Sequence, residues 1–496
     1  MPFQVSPGVL VREVDLTNVV PAVSTSIGAI AGAFEKGPVG EITAVSSEEE
    51  LVRLFGKPNG SNFETFFTAS NFLQYGNALR VVRAQSGVTN AMSGGSGLLI
   101  KSDTHYQDNF SAGEASSGEW GARTAGTHGN SLGVSMCTSP EAFEETLTAA
   151  GEVSGTPAAG ATTVNVSAGG GSAGAGGAKY NVGDIVFFQE ADGQQYEVTA
   201  INNDALTIRQ LDNPNGGGLK SALADGTDVR RRWAFYDLFD SAPGTSTYAT
   251  SKNVSDDEMH IVVYDKTGDI SGFRKDTAGE RTNSVLETYA FLSQHPNAKT
   301  PQGGTNYYPD VIFKQSSFVY WLDHPSVLSN AGTARTSGQA YAHGDGTTGQ
   351  IEFALSGGTD DYAVTVGELD SAYNEFADAE TVDVNLIMGG TSPAGADGTQ
   401  HATNLIDIAE KRKDVVVFIS PRRADVVNIA NSTSQASNVK TFFDGLASSS
   451  YAVFDSGYKF MFDKFNDVFR FVPLNGDIAG LCANTDQVAD PFFSPG

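Results

Sequence analysis

The chain begins with an alternating pattern that predicts a β-strand with no partner close by in the sequence. In "SPGVLVREVDL", the spacing of Val9 and Val11 is typical of a half-buried strand with a two-residue period. The next stretch, "TNVVPAVSTS", contains a proline and small polar residues, which indicate an extended connector rather than a hairpin turn. Because a lone strand leaves its backbone N–H and C=O groups unpaired, we expect it to be disordered or to complete a sheet elsewhere, for example on another subunit.

From residue 24 onward the pattern changes to short apolar runs that alternate with amphipathic segments. The runs "SIGAIAGAF", "EITAV" and "ALRVVRA" predict buried strands. The segments "SEEELVRLFG" and "FETFFTASNFLQYG" predict helices. Ser46 and Glu49 form a capping-box pattern for the first helix, and Gly56 is placed to end it. Asn62 is a candidate cap for the second helix.

The same α/β pattern returns in the second half of the chain. The runs "EMHIVVYD", "VDVNLIMGG" and "VVVFISP" predict buried strands, while "TVGELDSAYNEFAD" and "HATNLIDIAEKRKD" predict helices. Thr365 and Glu368 stand in capping-box register. The order strand, helix, strand predicts a right-handed parallel crossover. Further on, "YKFMFDKFNDVFRFVPLNGDIAGLC" predicts an aromatic hairpin that turns at residues 464–467, followed by a helix capped by Asn475.

Between these two parts lies a stretch rich in Gly, Ser and Ala. A loop leads to a predicted strand from Leu132 to Cys137. Farther along, "VGDIVFFQEADGQQYEVTAINNDALTIRQL" contains alternating strands joined by turn residues, which predict a small antiparallel β module inserted at the surface.

Together these patterns predict a multidomain protein of the α/β and β classes. We expect a layered α/β sandwich core built from discontinuous segments, a β-rich, barrel-like surface insertion and an extended N-terminal arm. The predicted boundaries are residues 1–23 for the arm, 24–86 and 230–496 for the two parts of the core, and 87–229 for the insertion.

Composition narrows the classes of partner. The 496 residues include 58 acidic and 31 basic side chains, giving a formal net charge of −27, which repels nucleic acid and acidic membrane surfaces. The basic triplet at residues 230–232 is the main exception, and we interpret it as a solvated edge or as a donor of ion pairs. Cys137 and Cys482 are interpreted as reduced core thiols.

The apolar runs are all shorter than the roughly 20 residues that a membrane helix needs, and the first residues lack the pattern of a signal peptide. We therefore expect a soluble protein that is made in a cytoplasm and does not insert into a membrane.

Two glycine-rich stretches are candidates for phosphate binding. Gly169, Gly171 and Gly174 match the spacing of a dinucleotide site, but a strand pattern follows where that site needs a helix. The loop "GGTS" at residues 389–392 is better placed, at a strand end before a helix. It lacks a lysine in Walker spacing, so a tight turn is the favoured interpretation, and this loop alone supports an enzyme hypothesis.

The sequence offers little else that would support catalysis. The seven histidines are scattered, and His128 is interpreted as a loop residue. Asp265 and Asp269 lack the further oxygen ligands of a calcium loop, and no G-x-S-x-G elbow is present. We expect no catalytic residues, no cofactor and no metal.

Several long stretches resemble the contractile tail sheath proteins of myovirus-type bacteriophages. They are "SPGVLVREVDLTNVVPAVSTSIGAIAGAFEKGPVGEITAVSSEEELVRLFGKP", "NFLQYGNALRVVRA", "GTHGNSLGVSM", "LSGGTDD" and "DSGYKFMFDKFNDVFRFVPLNGDIAGLCANTD". The first and last are long and specific, and the matches are distributed over most of the chain.

This resemblance implies a structural role in a virion tail that is assembled in the cytoplasm of the bacterial host. Sheath subunits of this family stack as rings, hexameric by resemblance, in a helical array around an inner tube. On contraction, the sheath drives the tube through the host envelope so that the genome can be ejected. The implied partners are further copies of the chain, the tail tube protein, and the baseplate and tail terminator proteins. Neither nucleic acid nor a cofactor is implied.

The resemblance also assigns a role to the first strand. Extended arms join neighbouring sheath subunits, and the matching segment implies the following inter-subunit arm residues: Pro7, Gly8, Val9, Leu10, Val11, Arg12 and Val14. In the family, the chain continues into a conserved C-terminal domain that contacts the tube and receives the arms. This domain is expected to be absent here, because the sequence stops at "FFSPG".

Two alternatives remain open. A sheath of another contractile injection system, of the bacteriocin or secretion type, would have the same fold and mechanism. A β-rich surface adhesin belongs to a different class, suggested by the Gly/Ser/Thr-rich insertion, and it would require an export route.

Overall fold

The structure of the chain is a computed structural model, and the residues it describes are 26–114, 116–145, 151–167, 176–213, 216–272, 284–343, 350–489 and 493–494. The predicted arm at residues 1–23 lies outside these ranges, as does the glycine-rich stretch that contains Gly169, Gly171 and Gly174.

The strands of the described ranges, in chain order, are β1 Gly28–Gly32, β2 Thr43–Val45, β3 Leu79–Arg83, β4 Trp120–Ala122, β5 Leu132–Cys137, β6 Glu152–Val153, β7 Thr163–Ser167, β8 Ile185–Phe187, β9 Gln195–Asn202, β10 Ala205–Gln210, β11 Arg230–Arg232, β12 Glu258–Asp265, β13 Val285–Ser293, β14 Val319–Trp321, β15 Gln350–Ala354, β16 Leu386–Met388, β17 Val416–Ile419, β18 Ala452–Phe454, β19 Tyr458–Asp463 and β20 Val468–Pro473.

The α-helices are α1 Glu48–Phe55, α2 Phe63–Leu73, α3 Asp103–Asn109, α4 Pro140–Phe143, α5 Thr247–Ser251, α6 Tyr308–Gln315, α7 Val366–Asn374, α8 Ala396–Arg412, α9 Arg423–Val426, α10 Ser432–Asp444 and α11 Asn475–Val488. Short 3₁₀ turns lie at Thr127–Ser131, Gly177–Lys179 and Tyr236–Leu238.

A six-stranded sheet joins the first and last parts of the described chain, with strand order β18-β17-β16-β1-β3-β2. All neighbouring pairs are parallel except β2 with β3. The predicted strand–helix–strand unit is confirmed, because β16 and β17 are parallel and α8 lies between them in the chain. All five residues of β1 are buried, as expected for a central strand of a parallel sheet.

Apolar clusters cover both faces of this sheet. One cluster packs α7 and α8 against it, with Tyr373 and Leu405 fully buried. The other packs α1, α2 and α11 against the opposite face, with Phe66 and Ala479 fully buried. The sheet therefore provides a rigid support for the helices at the two ends of the described chain.

The middle of the chain forms two further antiparallel sheets. A four-stranded sheet has the order β13-β12-β5-β15, and its strands β5 and β12 have the predicted bounds. A six-stranded sheet has the order β11-β8-β9-β10-β7-β6. Backbone hydrogen bonds also link Val153 to residues 226 and 227, which lie shortly before β11, so the two ends of this sheet are brought together.

The strand pairing crosses the predicted boundaries of the insertion at residues 87–229. Strand β5 lies inside that range, yet it pairs with β12 and β15, which belong to the last part of the chain. At the other boundary, β11 begins at Arg230 and pairs with β8. The division of the chain into domains remains a prediction.

The helix caps confirm some predictions and correct others. Thr365 and Glu368 make both bonds of a capping box, as predicted. For α1, however, the N-cap is Ser47, whose hydroxyl accepts a hydrogen bond from the N–H of Glu50, so the predicted pairing of Ser46 with Glu49 is wrong by one residue. The run of two serines and three glutamates fits the capping pattern in both registers, which explains the error.

Gly56 ends α1 as predicted, with a φ of +83° that favours glycine. Asn62 occupies the N-cap position of α2, but its side chain makes no cap bond, because its Oδ1 accepts from the N–H of Asn59. The predicted cap at Asn475 is also wrong, since the N-cap of α11 is Leu474 and Asn475 is the first helical residue.

Candidate assembly surface

The described chain begins next to its last helix. Ser26 is buried, and its hydroxyl donates a hydrogen bond of 3.0 Å to Oδ2 of Asp486 in α11. The adjacent N–H of Ile27 donates to Oδ1 of Asn385, at 3.3 Å, as the chain enters β1. Ser26, the first described residue, is therefore held between the six-stranded parallel sheet and α11.

Helix α11 is seated by close backbone contacts and by one buried amide. A Cβ at Gly476 would lie 2.3 Å from the carbonyl oxygen of Thr68, so only glycine allows the helix to approach α2 this closely. The side chain of Asn475, which is fully buried, donates hydrogen bonds to the Gly390 carbonyl at 2.7 Å and to Ser420 Oγ at 2.8 Å. Together, these contacts hold the start of α11 against the edge of the parallel sheet.

The predicted aromatic hairpin is confirmed as β19 and β20, which are antiparallel and connected by residues 464–467. Its inner face packs on α2 through Met461 and through Val472, which is fully buried. Arg470 lies over the ring of Phe63, with its guanidinium carbon 4.4 Å from the ring centroid. It also donates to Oδ2 of the buried Asp463 at 2.8 Å, so its charge is paired on the inner face.

The outer face of the hairpin is apolar. Phe460 is 60% exposed, Phe462 46% and Phe469 61%. Of the ten large apolar side chains that are exposed in the described ranges, eight lie after residue 452, in β18, the hairpin, α11 and the last described residues. Exposed apolar area of this kind marks surfaces that contact other macromolecules.

A buried carboxyl group lies at the base of the hairpin. Asp455 joins β18 to β19, and it accepts hydrogen bonds from Ser420 Oγ at 2.5 Å and from the N–H of Gly457 at 2.9 Å. Burial, with a smaller contribution from the negative charge of Asp477, raises the pKa of Asp455 to about 6. This carboxyl group therefore gains a proton between neutral pH and pH 5.

The loop that the sequence singled out as an anion site is a packed turn. Gly390 has a φ of +63°, and the side chain of Thr391 donates a hydrogen bond to Glu64 Oε2 at 2.9 Å. Ser392 Oγ donates to the carbonyl of Ser420 at 2.7 Å. Because a carboxylate already accepts the hydrogen bond from the loop hydroxyl, a phosphate group at the same position would be repelled.

The basic triplet forms strand β11 and donates ion pairs, which was one of its two interpretations. Arg231 is completely buried, and its guanidinium lies 3.1 Å from Oε2 of Glu145 and 3.7 Å from Oδ2 of Asp184. Arg230 and Arg232 both pair with Glu144. The alternative, a solvated edge, is wrong for Arg231, because its side chain is fully buried. Its ion pairs with Glu145, before β6, and with Asp184, before β8, connect these segments to β11.

The other singled-out residues are also held by contacts within the chain. His128 lies in a 3₁₀ turn rather than an irregular loop, and burial together with Lys36 and Arg83 lowers its pKa to about 4. Asp265 accepts hydrogen bonds from several backbone N–H groups between residues 267 and 271. Cys137 and Cys482 are free thiols, as predicted.

The described ranges contain neither a metal site nor a membrane-spanning helix. Among those residues, His, Cys, Asp and Glu side chains form no group of three or more that could hold a metal ion. The helices in the same ranges are all too short or too polar to cross a bilayer.

Sequence reasoning predicted the hairpin but not which of its faces would be exposed. The signal was present, because Phe460 and Phe462 alternate with residues of the other face in "YKFMFDKFNDVFRFVP". Periodicity shows that the two faces differ, but contacts with α2 decide which of them is buried.

Comparison with known proteins gives a match to one family description. Residues 25–84 match the family described as "Tail sheath protein Gp18 domain III N-terminal region". These residues contain β1, β2 and β3 of the parallel sheet, together with α1 and α2, two of the helices that cover one of its faces.

Curated relatives match almost the whole chain. The tail sheath protein of Vibrio phage KVP40 is 27% identical, and the alignment covers 99% of this chain and 75% of the relative. The tail sheath protein of Enterobacteria phage T4 is 28% identical, with 99% of this chain and 74% of the relative covered. Among solved structures, the sheath tail protein Lin1278 from Listeria innocua aligns with a TM-score of 0.36 and 10% identity, over 92% of this chain and 56% of that chain.

Proposed function

We propose that the chain is a structural subunit of a contractile phage tail sheath and that its copies polymerise as helically stacked rings around an inner tail tube. The observation that carries the proposal is the similarity of 99% of the chain to proteins named tail sheath protein. Such a protein belongs to the virion tail, and the names of its relatives imply a structural protein rather than an enzyme.

We propose that the N-terminal arm links neighbouring subunits by adding a strand to a sheet of another copy. The arm residues Pro7 to Arg12, together with Val14, have the strand pattern that such an addition needs. The start of the described chain supports this role, because Ser26 is held against α11 and would transmit force from the arm to the central sheet. The segment 17–24, whose sequence predicts an extended connector, would then link the arm to the rest of the subunit.

Contraction, in this proposal, is a mechanical transition that needs no nucleotide. The extended lattice is kinetically trapped, and the contracted lattice buries more surface between copies. An additional ~500 Å² per subunit at ~25 cal/mol/Å² would contribute at most ~12 kcal/mol before the costs of desolvation and ordering. A head-to-tail contact that does not close on itself propagates as a helix of many copies. Even a small gain in free energy per subunit is therefore multiplied over the whole sheath.

The proposed partners follow from this arrangement. They are further copies of the chain, in rings taken as hexameric, the tail tube protein inside the rings, and the baseplate and tail terminator proteins at the two ends. Release at the baseplate would let each ring rotate and descend in sequence, and this movement would drive the tube through the host envelope.

We also propose how the chain divides into a core and a surface module. We place the layered α/β core on the sheet that joins β1 and β3 with β16, β17 and β18. The surface module corresponds to the sheet from β6 to β11, which is narrower than residues 87–229, because β5 pairs with strands of the later part of the chain.

Electron microscopy of native particles tests the function directly. We expect an antibody against the chain to decorate the whole length of long, striated tails, and to decorate shorter and wider sheaths after contraction. DNA-filled heads on the decorated particles would distinguish a phage sheath from that of another injection device. Labelling that is confined to fibres or to the bacterial surface would contradict the proposal.

A further inference from the structure

The hairpin of β19 and β20 departs from the usual distribution of polar and apolar residues, because its outer face is apolar and its inner face carries an ion pair beside Met461 and Val472. In an antiparallel pair with one face in water, the apolar side chains normally point to the core. Here Asp463 and Arg470 lie on the inner face, and the ion pair between them is mostly removed from solvent. The outer face carries phenylalanines, so this face is built for contact with a surface other than its own core.

We define the phenylalanine patch as Phe460, Phe462, Phe469 and Phe471. Phe460 is the register partner of Phe471, and Phe462 is the register partner of Phe469, so all four lie on one face. Ring centroids are 5.1 Å apart for Phe460 and Phe469, and 4.7 Å apart for Phe460 and Phe471. The rings already pack against one another, so little side-chain freedom is left to be lost when a partner binds.

The size of the patch indicates the kind of contact it can make. Three of the four side chains, each of about 200 Å², are roughly half exposed and Phe471 is less so, so the patch offers on the order of 300 Å² of apolar surface. A stable interface between two proteins buries about 800 Å² on each partner. The patch is therefore too small to hold two free subunits together, but it can stabilise a lattice in which each subunit is also held by other contacts.

Charge favours another copy of the chain as the occupant. Each copy carries a formal net charge of −27, so two copies repel each other wherever acidic surfaces meet. The patch contains no charged group, and the three basic side chains of the hairpin are paired with carboxylates of the same chain, Lys459 with Asp477, Lys464 with Glu48 and Arg470 with Asp463. The patch is therefore a surface on which two acidic copies can meet without bringing unpaired like charges together.

We propose that, in the assembled sheath, the phenylalanine patch packs against a different surface of a neighbouring copy of the chain. The contact is heterologous, because a patch that bound itself would close a pair of subunits instead of extending a helix. This proposal rests on the proposed sheath function and adds a named contact surface to it.

Photo-crosslinking in assembled tails identifies the occupant. The photoreactive residue p-benzoylphenylalanine replaces Phe469 in a copy with an affinity tag, which is co-expressed with an untagged copy and the other tail proteins. We expect irradiation of purified tails to give an adduct between the tagged and the untagged chain. An adduct within one chain, an adduct with the tube protein, or the absence of any adduct would overturn the proposal.

A matched pair of variants measures what the patch contributes. The double substitution Phe460→Ser and Phe469→Ser removes exposed apolar surface from the hairpin, while Val182→Ser with Val327→Ser removes it elsewhere, at residues that are 54% and 39% exposed. We expect at least a tenfold loss of sedimentable sheath for the first pair and wild-type yield for the second. Unchanged assembly of the patch variant would overturn the proposal.

Two controls separate the possible failures. The circular dichroism of the unassembled patch variant should match that of the wild type and its thermal unfolding should remain cooperative, because both substituted rings are more than half exposed. If the variant fails to fold, the adduct from p-benzoylphenylalanine at Phe469 decides the question by itself. If the wild type forms no sheath, the proposed function fails, whereas wild-type sheaths without an adduct between copies refute only the patch contact.

Discussion

Ser26 and Asp486 are 460 residues apart in the chain, yet the hydroxyl of Ser26 lies 3.0 Å from Oδ2 of Asp486. This hydrogen bond joins the start of the described chain to the last turns of α11. Both positions lie beside the parallel sheet that carries the buried core. Force applied to residues before Ser26 would therefore reach α11 and the sheet directly, without passing through the antiparallel sheets of the middle of the chain.

Removing the hydroxyl should weaken the end of α11. We expect Ser26→Ala to cost about 1 kcal/mol of local stability, which is the usual contribution of one hydrogen bond. Amide hydrogen exchange should then be several-fold faster at residues 483–488, while the sheet strands keep their protection. The exposed Ser61→Ala is the control, and equal exchange in both variants would show that the hydrogen bond does not hold α11.

Proline in the arm should block assembly without unfolding the subunit. Pro at positions 9 and 11 removes two N–H donors that point to the same side of a strand, so Val9→Pro with Val11→Pro should abolish sheath polymers. Val9→Ala with Val11→Ala keeps both donors and serves as the control. Polymers would be counted by negative-stain microscopy, and sheaths of normal length from the proline variant would refute the arm assignment.

Local patterns predicted much of the fold because several elements are specified by their own residues. Strands β5 and β12 have the predicted bounds, since each is a short, mainly apolar run that lies between polar residues. The capping box of Thr365 and Glu368 was likewise readable, because all of its groups lie within four residues.

The errors occur where distant contacts decide between local alternatives. Asn475 looked like a helix cap, but its amide donates to Gly390, which is 85 residues away, and to Ser420. The candidate anion loop had the right position for a ligand, but Glu64 from α2 occupies it. Burial of Arg231 was equally hidden, since a run of three arginines normally indicates a solvated surface.

The buried network around Arg231 should contribute strongly to stability. Replacing Arg231 by methionine leaves the carboxylates of Glu145 and Asp184 buried without their cation, and breaking such a network costs about 3–5 kcal/mol. Arg230→Met is the control, because Arg230 is 41% exposed and an exposed ion pair contributes about 0–1 kcal/mol. Urea unfolding measures both variants, and equal losses would contradict the network.

The pH dependence of the Arg231→Met variant gives a second check. Burial already raises the pKa of Glu145, and Arg231 opposes that rise, so removing Arg231 should raise it further. The folded variant then binds protons more tightly than the unfolded chain does, and its stability deficit relative to wild type should shrink as the pH falls. A deficit that is constant between pH 8 and pH 5 would show that lost packing, rather than uncompensated charge, is the cause.

The carboxyl group at the base of the hairpin should destabilise the fold at neutral pH. The pKa of Asp455 is about 6 in the folded chain against an ordinary value of 3.8, so the folded state binds this proton more tightly than the unfolded state does. The contribution of Asp455 to the free energy of unfolding is therefore lowest above pH 6, and it rises as the pH falls from 6 to 3.8. The full difference corresponds to about 3 kcal/mol.

Asp455→Asn should remove this pH dependence, because an amide resembles the protonated acid and cannot ionise. Relative to wild type, the variant should be most stable above pH 6, and its advantage should fall by about 2 kcal/mol as the pH approaches 4. Urea unfolding at a series of pH values measures the difference, with Asp240→Asn, at an exposed position, as the control. A variant that is less stable than wild type at pH 8 would show that the ionised carboxylate stabilises the base of the hairpin through its bonds to Ser420 and Gly457.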